Sequence, residues 1–290
     1  MGIAWCSSIA RDGDHPCVEA NGVRFTVIEE GSGPLVLLVH GFPDTAHTWD
    51  DVRPALAKAG FRAVSPFTRG YAPTTAPTDG LYDSDALGRD VVALIAALGE
   101  ETAVVVGHDW GASAAYSAAA LAPERVRKLV TVAIPHPASL RPTPKKLWGA
   151  RHFVTLRLPG AADRMRADDF AEVDELVRRW SPAWDVPKGE TAAVKESFRA
   201  PGSLDAALGY YRAMRPWLPP SLRRRIRVPT VSFSGDTDGV LGHDDFERAR
   251  RWFTGAYEVV PMPGGHFLHR EHPERFIREL LRALEGDAKV

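Results

Sequence analysis

The stretch from Val104 to Ala112 is the feature that most constrains how this chain can fold. Three valines are followed by Gly-His-Asp-Trp-Gly, which passes directly into an alanine-rich segment that predicts a helix over 112–122. Glycines on both sides of a residue allow a tight, strained turn between a strand and a helix, with one side chain exposed at its apex. The sequence therefore predicts a strand, a sharp turn and a helix, with the carboxylate of Asp109 at the turn.

The residue type at this apex indicates the chemistry. Serine is the usual occupant of such a turn, and here the residue is Asp109. A carboxylate nucleophile forms an ester with its substrate, so it suits attack on an alkyl carbon rather than an acyl carbon. The turn therefore points away from esterases and proteases.

Short apolar runs alternate with helical patterns through most of the chain. Strands are predicted at 23–29, 35–39, 61–66, 102–106, 128–134, 229–234 and 256–260. Helices are predicted at 85–98, 112–122, 244–253 and 273–284. This alternation predicts an α/β fold with a mainly parallel sheet and helices on both faces.

One segment breaks this rhythm. Residues 137–225 are rich in Arg, Trp and Pro, with helical patterns at 168–179, 191–199 and 204–214 and no strand pattern. We therefore expect a core built from 1–136 and 226–290, with a helical cap inserted at 137–225.

Composition and length limit the partners and the location of the protein. The net charge of −1 predicts no nucleic-acid partner, and no apolar run approaches the about 18 residues of a membrane helix. Residues 1–17 lack a secretory pattern, and we expect this segment to be loose. Its two cysteines, Cys6 and Cys17, do not make a disulfide framework. We predict a cytoplasmic monomer or homodimer that contacts no membrane.

The loop after the strand at 35–39 adds two hydrogen-bond donors to the turn at Asp109. It reads His40–Gly41–Phe42–Pro43, and we expect it to aim the backbone N–H of Phe42 at the turn. The N–H of Trp110 would be the second donor of an oxyanion hole. With an aspartate nucleophile, that hole is needed when water attacks the ester carbonyl.

Two further loops supply an acid and a base. Asp238 follows one predicted strand and His266 follows the next, in the order nucleophile, acid, histidine. His266 is the candidate general base, because an imidazole with an ordinary pKa near ~6.5 suits proton transfer around neutrality. Asp238 would fix its tautomer. The alternatives are Asp236 for the acid and His269 or His272 for the base.

The chain resembles the α/β-hydrolase superfamily and, within it, the epoxide hydrolases. The motifs that carry the resemblance are 40–43, Arg69–Gly70–Tyr71, 108–111, Asp238 and 265–267. The resemblance implies an α/β-hydrolase fold with a helical cap. It also implies catalysis without a cofactor or a metal.

Two cap residues would act on the epoxide ring. The stretch 208–212 is similar to an Asn-Trp-Tyr-Arg stretch of these enzymes and puts Tyr211 at a ring-opening tyrosine. The segment 151–160 resembles the region that supplies the other tyrosine, but here it carries His152. This His–Tyr arrangement is similar to that of a bacterial subgroup of epoxide hydrolases. A neutral imidazole can donate one hydrogen bond to the ring oxygen.

We therefore predict an epoxide hydrolase that takes a small hydrophobic epoxide and water and releases a vicinal diol. Trp49, His40 and Pro43 are the predicted pocket residues, although His40 is also interpreted as orienting its own loop. The alternative is a haloalkane or haloacid dehalogenase that uses Asp109 as its nucleophile and the Trp110 indole to bind halide. A third hypothesis is a non-catalytic ligand-binding relative, in which Asp109 would be structural.

Overall fold

The predicted apolar runs form one sheet. The computed structural model describes residues 4–5 and 15–287, so Cys6 lies outside the described residues. The strands are β1 (Ala4–Trp5), β2 (Pro16–Ala20), β3 (Val23–Glu30), β4 (Leu35–Val39), β5 (Arg62–Pro66), β6 (Ala103–His108), β7 (Val126–Val132), β8 (Thr230–Gly235) and β9 (Tyr257–Met262). Their order is β1-β2-β3-β5-β4-β6-β7-β8-β9. The pairs β1–β2, β2–β3 and β3–β5 are antiparallel, and the other neighbouring pairs are parallel.

Helices cover both faces of this sheet. They are α1 (Val52–Lys58), α2 (Ser84–Ala97), α3 (Trp110–Leu121), α4 (Pro144–Gly149), α5 (His152–Thr155), α6 (Ala161–Trp180), α7 (Ala192–Arg199), α8 (Ser203–Arg212), α9 (His243–Ala249), α10 (Leu268–Glu271) and α11 (Pro273–Ala283). A hydrophobic cluster lies on each face of the sheet, and the residues of β4 alternate between the two clusters. Leu37 packs in the cluster under α2 and α3, whereas Leu38 packs in the cluster under α1 and α11.

The strand predictions are confirmed, with ends that differ by at most two residues. The expectation of a loose N-terminal segment is wrong for Cys17, which is buried in β2. This strand was missed because it is short, with a burial pattern broken at Glu19. Helices α1, α4, α5 and α10 were also missed, and each spans seven residues or fewer.

The segment 137–225 contains α4 to α8 and, along its fully described length, no strand. Helix α6 is interrupted at 167–170, where Asp168, Asp169 and Phe170 have φ of 49°, 52° and 60°. The helix predicted at 168–179 therefore starts only after this break. Its last residue, Trp180, reaches the sheet, since its carbonyl accepts hydrogen bonds from the backbone N–H groups of Gly239 (3.3 Å) and His266 (3.1 Å). Within the described residues, none of the helices is long and apolar enough to cross a membrane.

Candidate active site

The turn between β6 and α3 holds Asp109 in a strained conformation. Its φ of 52° and ψ of −119° lie outside the regions that non-glycine residues prefer. Gly111 makes this turn sterically possible, because a Cβ at that position would lie 2.1 Å from the carbonyl oxygen of Val39. Such strain persists only where the surrounding structure enforces it, and it presents the Asp109 carboxylate at the carboxyl edge of the sheet.

The two oxygens of the Asp109 carboxylate have different neighbours. The backbone N–H of Phe42 donates a hydrogen bond of 2.8 Å to Oδ1. His266 lies on the other side, with its Nε2 3.3 Å from Oδ2. Trp110 begins α3, where backbone N–H groups have no partner within the helix. A Cβ at Gly41 would lie 2.4 Å from Oδ1 and 2.6 Å from the Trp110 nitrogen, so the loop approaches the carboxylate as closely as only glycine allows.

His266 lies between two carboxylates. Its Nδ1 is 3.3 Å from Oδ2 of Asp238. The other oxygen of Asp238 accepts hydrogen bonds from the N–H groups of Val240 (2.7 Å) and Leu241 (2.9 Å), which fixes its orientation. The alternative acid, Asp236, instead accepts a hydrogen bond of 3.0 Å from the Gly264 N–H. Of the two candidates, Asp238 is therefore the one that faces the imidazole.

The charges at this centre shift the pKa of both His266 and Asp109. Burial would lower the pKa of His266, but the carboxylates of Asp109 and Asp238 raise it to about 9. Burial would raise the pKa of Asp109, but His266, His108 and the Phe42 N–H lower it below its usual value. At neutral pH the two groups therefore form an ion pair of carboxylate and imidazolium.

The backbone of His266 is held from two sides. The Nε2 atom of His108 donates a hydrogen bond of 2.9 Å to the carbonyl oxygen of His266. The N–H of His266 donates to the carbonyl oxygen of Trp180. The sequence suggested only a packing role for His108, and its position next to the turn was the signal for this second role. His269 is buried with Nε2 2.7 Å from the Thr48 hydroxyl, and His272 is exposed at the start of α11. Neither alternative base is bound to Asp109.

One buried group of residues has the composition of a metal site. Asp44, His108 and His269 place possible ligand atoms within 4.8 Å of one another. The Asp44 carboxylate already accepts a hydrogen bond of 2.8 Å from Arg270. Because that guanidinium neutralises the carboxylate and would repel a cation, we assign no metal to this cluster.

Tyr211 and His152 come together near Asp109. Both are buried, and their rings contact edge to face at 6.0 Å between centroids. Burial and the charge of Asp109 raise the pKa of Tyr211 well above 10, so its hydroxyl keeps its proton. The neighbouring Tyr210 donates a hydrogen bond of 2.8 Å to the carbonyl of Arg69, which ties α8 to the core. Sequence analysis missed Tyr210, although it lies in the same motif.

The protonation of His152 limits what it can do. Burial lowers its pKa to about 4, so the imidazole is neutral. Its Nδ1 lies 3.3 Å from the carbonyl oxygen of Gly149, which can only accept a hydrogen bond, so the proton sits on Nδ1. The Nε2 atom is then an acceptor. In this tautomer Nε2 carries no proton for a ring oxygen, whereas the Tyr211 hydroxyl keeps its proton; the donor roles of the two residues stay predictions.

The predicted pocket residues do not all reach this centre. Trp49 packs against His269, in the hydrophobic cluster under α1 and α11. His40 uses both ring nitrogens inside the core, donating to its neighbour's carbonyl (2.8 Å) and accepting from the Thr68 N–H (2.9 Å). It therefore anchors its loop, in which Pro43 is also buried. An aromatic residue after a strand gives no sign of which face it covers, which explains the misplacement of Trp49.

The aromatic groups that do border the site are others. Phe42 and Trp110 contact the Tyr211 ring edge to face, at 5.1 Å and 5.3 Å between centroids. Trp180 contacts both His152 (4.6 Å) and His266 (5.2 Å). Aromatic rings therefore surround the pair formed by His152 and Tyr211, and one of them also contacts His266. An apolar setting of this kind strengthens electrostatic interactions.

Known proteins resemble this chain along most of its length. A model of the alpha/beta hydrolase fold matches residues 34–273. The chain is 30% identical to epoxide hydrolase A of Mycobacterium tuberculosis, over 93% of this chain and 96% of the relative. It is 29% identical to an epoxide hydrolase of Caballeronia sordidicola, over 92% of each. The solved structure of an epoxide hydrolase from Vigna radiata matches with a TM-score of 0.78 and 27% identity, covering 93% of this chain and 97% of that one.

Proposed function

The chain belongs to the epoxide hydrolase family of alpha/beta hydrolases, and from that premise we propose that it converts an epoxide to a vicinal diol through an ester on Asp109. The observation that carries the proposal is the arrangement of Asp109 between Phe42, His266 and Tyr211. It brings together a carboxylate, an imidazole and a phenol hydroxyl, which are candidates for the nucleophile, the base and the proton donor.

In the first step, Oδ2 of Asp109 attacks an epoxide carbon. The ring C–O bond breaks and its electron pair moves to the ring oxygen. The Tyr211 hydroxyl donates a hydrogen bond and then its proton to that oxygen, which becomes the first alcohol and leaves a tyrosinate. Oδ1 becomes the carbonyl oxygen of the ester, already bound by the Phe42 N–H.

In the second step, water attacks the ester carbonyl. Esterification removes the charge of Asp109, which is one of the two carboxylate charges that raise the pKa of His266. Its pKa therefore falls, so the imidazolium releases its proton to the tyrosinate left by the first step, and the neutral His266 can then accept a proton from the attacking water. The negative charge gathers on Oδ1, where the N–H groups of Phe42 and Trp110 stabilise it. The bond between Cγ and Oδ2 of Asp109 then breaks, and Oδ2 takes the proton held by His266 and leaves as part of the diol. The new carboxylic acid of Asp109 returns a proton to His266, which restores the ion pair.

The dehalogenase hypothesis uses the same nucleophile, and a product assay separates the two. The protein is incubated with styrene oxide and, in parallel, with bromoalkanes, and diol and bromide are measured. We expect diol and no bromide, with Asp109→Asn as the inactive control. Bromide without diol would replace the proposal by a dehalogenase, and inactivity over a broad epoxide panel would favour the non-catalytic relative.

The arrangement of the chain supports further proposals. We propose that 137–225 acts as a cap over a core of 1–136 and 226–290, because α5 and α8 supply His152 and Tyr211. A small hydrophobic epoxide, a cytoplasmic location, a monomer or homodimer, and the absence of a nucleic-acid partner stay predictions.

A further inference from the structure

Arg179 has an unused carboxylate-binding edge. It lies near the end of α6, directly before Trp180. Its Nε and Nη2 atoms are both buried and have no hydrogen-bond partner among the described residues. These two nitrogens form one edge of the planar guanidinium, and that edge matches the two oxygens of a carboxylate.

The chain itself shows how this edge is normally filled. Arg69 uses the same two nitrogens to hold the Asp90 carboxylate, with Nε at 2.5 Å and Nη2 at 2.6 Å. Both side chains of that pair are buried. Arg179 as a whole is half-buried, but the two nitrogens of this edge are buried, and no carboxylate of the described residues is bound to them.

The charges of two acids, Glu172 and Glu175, act on Arg179, but neither side chain is hydrogen-bonded to its buried edge. Glu172, on the same helix, is paired with Arg164 at 2.9 Å. Burial, followed by the charge of Arg151, lowers the pKa of Arg179, which indicates that its positive charge is poorly compensated. Keeping guanidinium donors buried and unpaired costs free energy, so the arrangement favours any ligand that supplies a carboxylate.

The location of Arg179 relates it to the candidate active site. Its charge acts on both His152 and Tyr211, the two groups on which the charge of Asp109 also acts. The next residue, Trp180, contacts His152 and His266. A small molecule whose carboxylate is bound by Arg179 would therefore extend toward Tyr211 and the nucleophile.

We propose that Arg179 binds the carboxylate of the substrate, so that the enzyme prefers small epoxy acids and releases dihydroxy acids. This inference rests on the proposed function for the reaction, and it adds the substrate class. It narrows the expectation of a small hydrophobic epoxide to one that has an apolar body and one carboxylate.

A matched pair of substrates tests the proposal. trans-3-Phenylglycidate carries a carboxylate where trans-β-methylstyrene oxide carries a methyl group. In Arg179→Met we expect kcat/KM for phenylglycidate to fall about 30-fold, the effect of losing a charge-assisted pair. We expect the value for β-methylstyrene oxide to change less than about twofold. Arg178→Met, at an exposed position on the same helix, is the control and should leave both values unchanged. Equal losses on both substrates, or no loss on phenylglycidate, would overturn the proposal.

A binding measurement separates this inference from the proposed reaction. trans-Cinnamate has the carboxylate but no epoxide ring, and its binding is followed by calorimetry with the wild type and with Arg179→Met. We expect binding to the wild type and at least about tenfold weaker binding to the variant. If the wild type binds cinnamate through Arg179 but opens neither epoxide, the reaction is wrong and the carboxylate site stands. If the wild type opens β-methylstyrene oxide but does not bind cinnamate, the reaction stands and the carboxylate site is rejected.

Discussion

The backbone N–H of Phe42 holds one oxygen of Asp109 and leaves the other to face His266. The hydrogen bond to Oδ1 is 2.8 Å long, and Oδ2 lies 3.3 Å from Nε2 of the imidazole. The two carboxylate oxygens are therefore not equivalent. In the proposed mechanism, Oδ1 would stay in the oxyanion hole and Oδ2 would be the atom that attacks.

The first prediction concerns oxygen exchange. Over many turnovers in heavy-oxygen water, we expect Asp109 to gain one heavy oxygen and not two, because each cycle replaces only Oδ2. Mass spectrometry of the peptide that contains Asp109 measures the number. No label would contradict the ester, whereas two heavy oxygens would show that the carboxylate turns over between cycles despite the Phe42 hydrogen bond.

The second prediction concerns the ester itself. In His266→Gln the base is lost while Asp109 keeps its position, so we expect the alkyl-enzyme to accumulate. Intact-protein mass spectrometry should show a gain of one epoxide mass, with steady turnover reduced by at least about 100-fold. The double variant with Asp109→Asn is the control and should gain no mass. An adduct in that control would place the alkylated residue elsewhere.

The third prediction concerns pH. The pKa of His266 is raised from 6.5 to about 9 in the folded protein, so its ion pairs contribute stability that is full below pH 6.5. This contribution is lost as the pH rises through about 9, because the imidazolium loses its proton there. The difference in Tm between the wild type and His266→Gln should shrink across this window. A difference that grows toward high pH would contradict the direction of the shift.

The fourth prediction separates the two cap residues. Tyr211→Phe removes the hydroxyl that donates to the ring oxygen, and we expect the alkylation rate to fall about 100-fold or more. His152→Phe removes an acceptor, and we expect a loss of less than about tenfold, since Nδ1 carries the proton. Rapid-quench measurement of ester formation gives both rates. A larger loss in His152→Phe would mean that His152 donates through Nε2.

The fifth prediction concerns the close approach of Gly41. In Gly41→Ala the new Cβ meets Oδ1 of Asp109 at 2.4 Å, so either the loop or the carboxylate must move. We expect kcat to fall by about 100-fold and stability to fall by about 1–3 kcal/mol. Thermal unfolding and steady-state kinetics measure the two effects. Gly242→Ala, where a Cβ meets nothing within 4 Å at a φ of −125°, is the control. Unchanged activity in Gly41→Ala would show that the loop shifts freely.

The sequence predicted what local patterns encode. Apolar runs located the parallel strands, and the glycines around Asp109 located the turn because few other residues tolerate such close packing. Asp238 and His266 were predicted as acid and base because their loops follow strands that end at the same edge of the sheet, and the structure places both side chains beside one another. Tyr211 was found only through its resemblance to a family motif.

Other features depend on three-dimensional neighbours and were out of reach. The proton position of His152 depends on the Gly149 carbonyl, which lies next to Nδ1 only in the folded chain. Arg179 is one of many arginines in its segment, and nothing in the sequence tells which of them lacks a carboxylate partner. The face covered by Trp49 depends on how its short 3-10 helix is oriented.

The contact of Trp180 with the loops that carry Asp238 and His266 has a consequence for how a substrate would enter and a product would leave. Its carbonyl binds the N–H groups of both Gly239 and His266, so the end of α6 is fastened beside the acid and the base. A cap that swung away as one body would pull the base out of position at each cycle. We therefore expect entry and exit to use the neighbouring helices α4 and α5, where Trp148 and Val154 are 72% and 63% exposed. Movement of α4 and α5 would then leave His266 in its position, so that the next substrate would meet a base that is already in place.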